Sequence, residues 1–177
     1  MDKETRDNYI KAGKIAAEAL MFGKGLIVKG ARPLDICNKV EEKIKELGGE
    51  PAFPTQISLD EAAAHYCPED DEDIKLSDEL ACLDVGVHIN GCIGDNACSV
   101  DLSGNNTELV KASEEALKAA LEIAHEKTSL EKIGKAIEEA ITDTGFQPIR
   151  NLSGHGLGYF NIHTKPTIPN FDTGDET

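Results

Sequence analysis

Apolar residues recur every three or four positions along four stretches of the chain, and switch to a period of two between the second and third. The first helical pattern runs from about residue 4 to 22, with Ile10, Ala17, Leu20 and Met21 on one face. Gly13 falls on that face, where it would allow close packing, and Gly23 and Gly25 are expected to end the helix. A second helix is predicted from Pro33, because proline suits the first helical position. Leu34, Cys37, Val40, Ile44 and Leu47 form its stripe, and Gly48-Gly49 stops it. Pro51 to Leu59 reads as a strand punctuated by Pro54, and Asp60 to Pro68 as a short irregular or helical segment carrying His65. A hairpin is expected from Glu79 to Leu102. The third helix is predicted from about Thr107 to Glu126, with Leu109, Ala116, Leu117, Ala120, Leu121 and Ala124 apolar. The fourth follows a capping-box pattern, Thr128-Ser129-Leu130-Glu131, and presents Leu130, Ile133, Ile137, Ala140 and Ile141 before stopping at Gly145. Gln147 to Leu152 and the segment beyond read as extended chain. Paired helices flanking sheet segments, without βαβ alternation, predict an α+β fold with a largely antiparallel sheet.

The hairpin carries the chemistry. Asn90-Gly91 is the strongest short-range signal for a two-residue type I′ turn. With that turn, Ile89 faces Cys92, Gly86 faces Asp95 and Asp84 faces Ala97. Asp84 and Asp95 then project from one face as diagonal neighbours, about 7–8 Å apart at the backbone. Gly86 lies between them with no side chain to fill the gap. Two carboxylates leaning over an empty position suit one or two hard divalent cations. Strand aspartates are also commonly solvated on an open sheet face, and a bulge in either strand would change the pairing. Both readings stand on spacing alone.

With 177 residues, 40% of them hydrophobic, the chain is long enough for one domain with a real core. No stretch approaches ~18 uninterrupted apolar residues, and the charged N-terminus lacks the apolar segment of a signal peptide. No membrane partner is implied, and a cytoplasmic location follows by default. The net charge of −15 repels phosphate backbones, which disfavours direct nucleic-acid binding. The same charge attracts cations, and equally serves solubility. Glu69-Asp70-Asp71-Glu72-Asp73 reads as a solvated loop tip, since it lacks the ligand spacing and central glycine of an EF-hand. Five cysteines without a CxxC pair fit reduced thiols. Cys82, Cys92 and Cys98 read as small apolar residues in strand patterns, and Cys67, near His65, is a minor candidate for a catalytic thiol.

Asn151-Leu152-Ser153-Gly154-His155-Gly156 places His155 in a glycine-bracketed break, where glycines permit tight backbone geometry near a ligand. His163 follows eight residues on, and His65 sits beside two predicted strands. His88 flanks the turn and His125 falls on a solvated helical face, so both look incidental.

Taken together, Asp84-Val85-Gly86-Val87, Gly94-Asp95, Asn151-Leu152-Ser153-Gly154-His155 and Ile162-His163 resemble a methionine aminopeptidase of type 2, in its archaeal form. Ala52-Phe53-Pro54 and Ala63-Ala64-His65-Tyr66 also fit that pattern, and the resemblance runs from Asp2 to Thr177. It implies the pita-bread α+β fold, two related halves around a dinuclear metal centre, with residues 1–177 forming the N-terminal part of a single metallopeptidase domain. It also implies that Asp84, Asp95 and His155 are metal ligands. On the same basis His163 contacts the substrate and reacting carbonyl, and His65 lies near the substrate amino terminus.

The implied activity is removal of N-terminal methionine from nascent polypeptides. Two divalent ions would activate a water for attack on the carbonyl, and cobalt, manganese, iron and zinc all suit a mixed O/N ligand set. The resemblance further implies a monomer when intact. Two glutamate ligands of the family have no match here, and the last residues, Pro169 to Thr177, read as a loop in mid-course. A fragment of a longer protein is therefore expected, inactive by itself. Two alternatives remain: a non-catalytic binding or regulatory protein of the same fold, and a proline-specific dipeptidase or aminopeptidase of that fold.

Overall fold

The structure, a computed structural model, describes residues 1–174. The last three residues of the expected terminal loop, Asp175 to Thr177, lie outside the described residues. The elements in order are α1 (Lys3–Leu26), α2 (Pro33–Glu46), β1 (Glu50–Pro51), β2 (Gln56–Leu59), β3 (Leu80–Ile89), β4 (Cys92–Asp101), α3 (Thr107–Ile123), α4 (Leu130–Thr142), β5 (Gly154–Gly158) and β6 (Asn161–Ile168). They form two compact units. The first comprises Met1–Gly104 with Leu157–Ile162, the second Asn105–Gly156 with the chain from His163 onward.

In the first unit, β3 is the central strand of an antiparallel sheet. β4 pairs along one edge, and β1 and β2 share the other edge end to end. The β3–β4 register is the one the turn predicts: Ile89 opposes Cys92, Gly86 opposes Asp95, and Asp84 opposes Ala97, with no bulge between Leu80 and Asp101. Asn90 and Gly91 both have positive φ, 47° and 82°, as a type I′ turn requires. Ala81, Leu83, Val85 and Val87 alternate onto one face of β3 and are fully buried. They pack with Ile15, Ala16, Ala19 and Leu20 of α1 and Ile36, Val40 and Ile44 of α2 to form the core.

The single strand expected from Pro51 to Leu59 is two short strands. Ala52 N–H still bonds Gly86 O at 2.9 Å, but pairing resumes only at Gln56. Pro54 has no N–H to give the ladder, so the edge breaks around it.

α1 is longer than its glycines suggested, and buries a different stripe. It runs through Gly23 and Gly25 to Leu26. A Cβ on Gly23 would lie 2.6 Å from side-chain atoms of both Leu83 and Val40, so this glycine admits close packing instead of ending the helix. The buried stripe is Ala12, Ile15, Ala16, Ala19, Leu20 and Gly23, whereas Ile10, Ala17 and Met21 are exposed. Beside Ile15 and Leu20 the stripe is made of small residues, because helix and strand approach closely. That approach is made at Gly94, whose Cβ would sit 2.6 Å from the Gly13 nitrogen. α2 matches expectation, with Cys37, Val40 and Ile44 buried.

In the second unit α3 packs on α4; Ala112 and Ala116 of α3 and Ile133 of α4 are buried, and Gly134 of α4 lies against Pro169 and Phe171. The expected α3 stripe is again displaced: Leu117 and Leu121 are 59% and 66% exposed. An apolar groove of about 410 Å³ is lined by Leu109, Ala116, Leu117, Ile137, Ile141 and Phe146. Ser129, not Thr128, is the N-cap of α4 and makes no side-chain cap bond, which leaves Glu131 one position short for a capping box. Thr128 instead donates its hydroxyl to Ile123 O at 2.8 Å, closing α3. Residues 147–152 are irregular, and strand structure begins only at Gly154.

His88 is structural, not incidental. Its Nδ1 lies 3.4 Å from the Gly91 N–H, and its ring meets Phe160 edge-on at 5.0 Å. Phe160 N–H bonds Gly91 O at 2.9 Å, so the tip of the β5–β6 hairpin clasps the β3–β4 turn. Gly91→Ala therefore meets two obstacles, the positive φ and a Cβ placed 2.6 Å from the Phe160 ring. We expect it to lower stability by about 2 kcal/mol, whereas Asn90→Gly is expected to be near neutral; urea unfolding of both variants checks this.

Candidate metal centre

The β3–β4 register sets the two carboxylates on one face. Asp84 and Asp95 lie diagonally across the pair, each partly buried, with Gly86 directly opposite Asp95. On the far side of β3, Gln56 opposes Asp84 and so projects to the same face. Its side-chain oxygen is buried without a hydrogen-bond partner among the described residues. An unpaired buried carbonyl costs about 1–3 kcal/mol, which a cation or donor on this face would relieve. The face thus offers oxygen donors from two carboxylates and one amide, a set that fits a divalent ion. Gln56 was invisible to sequence reasoning, because its place opposite Asp84 depends on where the broken edge strand resumes.

The space above Gly86 is not empty. A Cβ built there would lie 2.1 Å from Cε1 of Phe53, so the aromatic ring covers the glycine on the carboxylate face. Phe53 belongs to the segment that leaves the sheet around Pro54. Gly86 therefore makes room for an aromatic wall between the carboxylates, and any cation must sit beside that wall.

The second unit, described by itself, holds a pair of imidazoles. His155 lies in β5 and His163 in β6, with ring centroids 4.5 Å apart and planes at 73°. His155 Nδ1 lies 3.3 Å from Gly156 O. A carbonyl only accepts, so this contact is a hydrogen bond when the ring carries a proton on Nδ1. The bracketing glycines serve strand packing: a Cβ on Gly156 would lie 2.3 Å from Lys165 O, and one on Gly154 3.2 Å from Ile168 Cβ. Among the described residues no group of three or more His, Cys, Asp or Glu side chains is gathered as a metal site.

His65 is exposed, and its φ of 67° is left-handed, a conformation that costs a non-glycine residue about 1–2 kcal/mol. Its segment is irregular, as one of the two expectations had it. Cys37 lies beneath this region in the core. Burial, then the Glu41 carboxylate and Cys67, push its thiol up to about 12.

A sequence model of the metallopeptidase family M24 matches residues 7–177, and the chain belongs to that family. Its relatives include archaeal methionine aminopeptidases. The chain is 48% identical to one from Archaeoglobus fulgidus over 174 residues, covering 98% of this chain and 60% of that protein. It is 42% identical to one from Methanocaldococcus jannaschii over 171 residues, covering 96% and 58%. Among solved structures, a methionine aminopeptidase from Thermotoga maritima superposes with a TM-score of 0.88 at 29% identity, over 98% of this chain and 73% of that one. The α+β pita-bread fold expected from the resemblance is the fold of these proteins. The chain spans about three-fifths of the length of the curated relatives it matches.

Two tests follow from this geometry. Gly86→Ala is expected to displace the Phe53 ring and lower stability by about 1–3 kcal/mol, with Phe53→Ala in the same background recovering part of that loss; thermal unfolding of the single and double variants reads it. At pH 8 a disulfide thiol reagent is expected to label exposed Cys67 rapidly in the native chain. Buried Cys37, protonated well above that pH, should react only on unfolding, which peptide mapping of the labelled sites decides.

Proposed function

We propose that this chain is the N-terminal part of a metal-dependent methionine aminopeptidase domain that trims N-terminal methionine from nascent polypeptides in the cytoplasm. The observation that carries the reading is the pair Asp84 and Asp95 on one sheet face, in a chain matched by the M24 family from residue 7 to 177. Its methionine aminopeptidase relatives support the methionine specificity, and the aromatic wall of Phe53 beside the carboxylates suits an apolar thioether side chain.

In this reading Asp84, Asp95 and His155 hold divalent metal, two ions in the intact protein, of which cobalt, manganese, iron and zinc all suit the donors. The metal would supply Lewis acidity and an activated water. His163 offers an N–H to the oxygen of the scissile carbonyl as charge develops there, and His65 orients the substrate amino group. The net charge of −15 favours a cationic peptide terminus and disfavours nucleic acid. Among the described residues no helix is long and apolar enough to cross a membrane. A monomer is proposed for the intact protein.

Asp84→Asn or Asp95→Asn in the intact gene product is expected to weaken Mn²⁺ or Co²⁺ binding by at least about 100-fold and abolish methionine release from a Met-Ala-Ser peptide. His163→Ala is expected to keep the metal content and lower kcat by about 10²–10³. Calorimetric metal titration alongside a methionine-release assay separates the two; unchanged metal binding in both aspartate variants would overturn the reading. The 177-residue chain alone, lacking matches to two family glutamates, is expected to bind metal weakly and show no turnover in the same assays.

A further inference from the structure

The residue after His65 is held from three sides. Tyr66 N–H bonds the hydroxyl of buried Ser58 at 3.3 Å, and Tyr66 O accepts from Ile57 N–H at 3.0 Å, so the chain returns against the edge of β2. The third tie is its side chain: the Tyr66 hydroxyl donates a short hydrogen bond to Oε2 of Glu72. Glu72 is itself fixed. Its Oε2 also accepts from Glu69 N–H at 3.2 Å, and its carbonyl accepts from Arg32 Nη2 at 2.8 Å, at the start of α2. The acidic run that reads as a solvated loop tip thus contains one member that is a tether.

Between the end of β2 and Tyr66 lie Asp60 and His65, both with left-handed φ, 48° and 67°. Neither is glycine, so neither conformation persists unless the surroundings impose it. Asp60 is imposed locally: its N–H bonds Leu80 O at 3.0 Å, and its Oδ1 accepts from Leu80 N–H at 2.9 Å. For His65 a constraint lies on the next residue. We propose that Tyr66 and Glu72 act as a positioning clamp, holding His65 in its left-handed conformation and so aiming its imidazole for the substrate amino terminus. The aiming part rests on the proposed role of His65; the holding part does not. The Glu72 carboxylate also raises the Tyr66 hydroxyl to about 12, consistent with a bond that persists at neutral pH.

The test uses Tyr66→Phe, Glu72→Ala and Glu72→Gln, the last retaining an oxygen that can accept from the tyrosine. In the 177-residue chain, the Cα and Cβ chemical shifts of His65 report its backbone, and amide exchange of Tyr66 reports the tie. We expect Tyr66→Phe and Glu72→Ala to move the His65 shifts out of the left-handed range and, in Glu72→Ala, speed Tyr66 exchange about tenfold or more. Glu72→Gln should restore most of both, and the Asn90-Gly91 turn amides should not change in any variant. Unmoved His65 shifts in Tyr66→Phe and Glu72→Ala would overturn the clamp. In the intact gene product, the same two variants should lower kcat/KM for Met-Ala-Ser about tenfold at unchanged Mn²⁺ content, again with rescue by Glu72→Gln. If His65 shifts move but His65→Ala itself leaves kcat/KM unchanged, the role given to His65 fails and the aiming fails with it.

Discussion

Everything at the candidate site depends on the register of β3 against β4. A slip of one residue would exchange the faces of one strand, burying a carboxylate against the helices and turning apolar residues outward. Exposing Leu83, Val85 and Val87 would forfeit about 1.5–3 kcal/mol each, and burying an unpaired carboxylate costs several kcal/mol more. The Asn90-Gly91 turn and the alternation along β3 therefore enforce the same pairing independently. The clasp of Phe160 on Gly91 adds a third constraint at the turn itself.

The second determinant is a defect on the opposite edge of β3. Around Pro54 the edge strand leaves the sheet, and this break does two things that an unbroken ladder would not. It lets Phe53 fold over Gly86, and it restarts pairing with Gln56 opposite Asp84. The carboxylate face is thus bounded by an aromatic ring and an amide oxygen. Such a surface combines hard oxygen donors with an apolar wall.

The α1 and α3 helices teach a common lesson about amphipathicity. In α1 alanines and Gly23 face inward beside Ile15 and Leu20, and in α3 two alanines do, while larger apolar residues such as Met21 and Leu121 lie exposed. Close approach selects small side chains where backbones meet, as at Gly13 and Gly94, and dispersion contacts there replace the area a leucine would bury. Residue size outweighs hydrophobicity at such contacts, and a pattern scored on hydrophobicity alone points to the wrong stripe.

Local information in the sequence determined the α+β class, the four helices, the type I′ turn, the β3–β4 register and the shared face of Asp84 and Asp95. Each of these follows from backbone propensity or a period of two or 3.6, which act within a few residues. The glycine bracket drew attention to His155, and family resemblance alone gave His65, His155 and His163 their roles. Tertiary structure alone decided which stripe of α1 is buried, that Gly23 continues a helix, that Phe53 occupies the space over Gly86, and that Glu72 reaches Tyr66. The glycines show why. A glycine in sequence is equally a stop, a turn or a place for a neighbour to fill, and only the neighbour, brought by chain far away in sequence, distinguishes them.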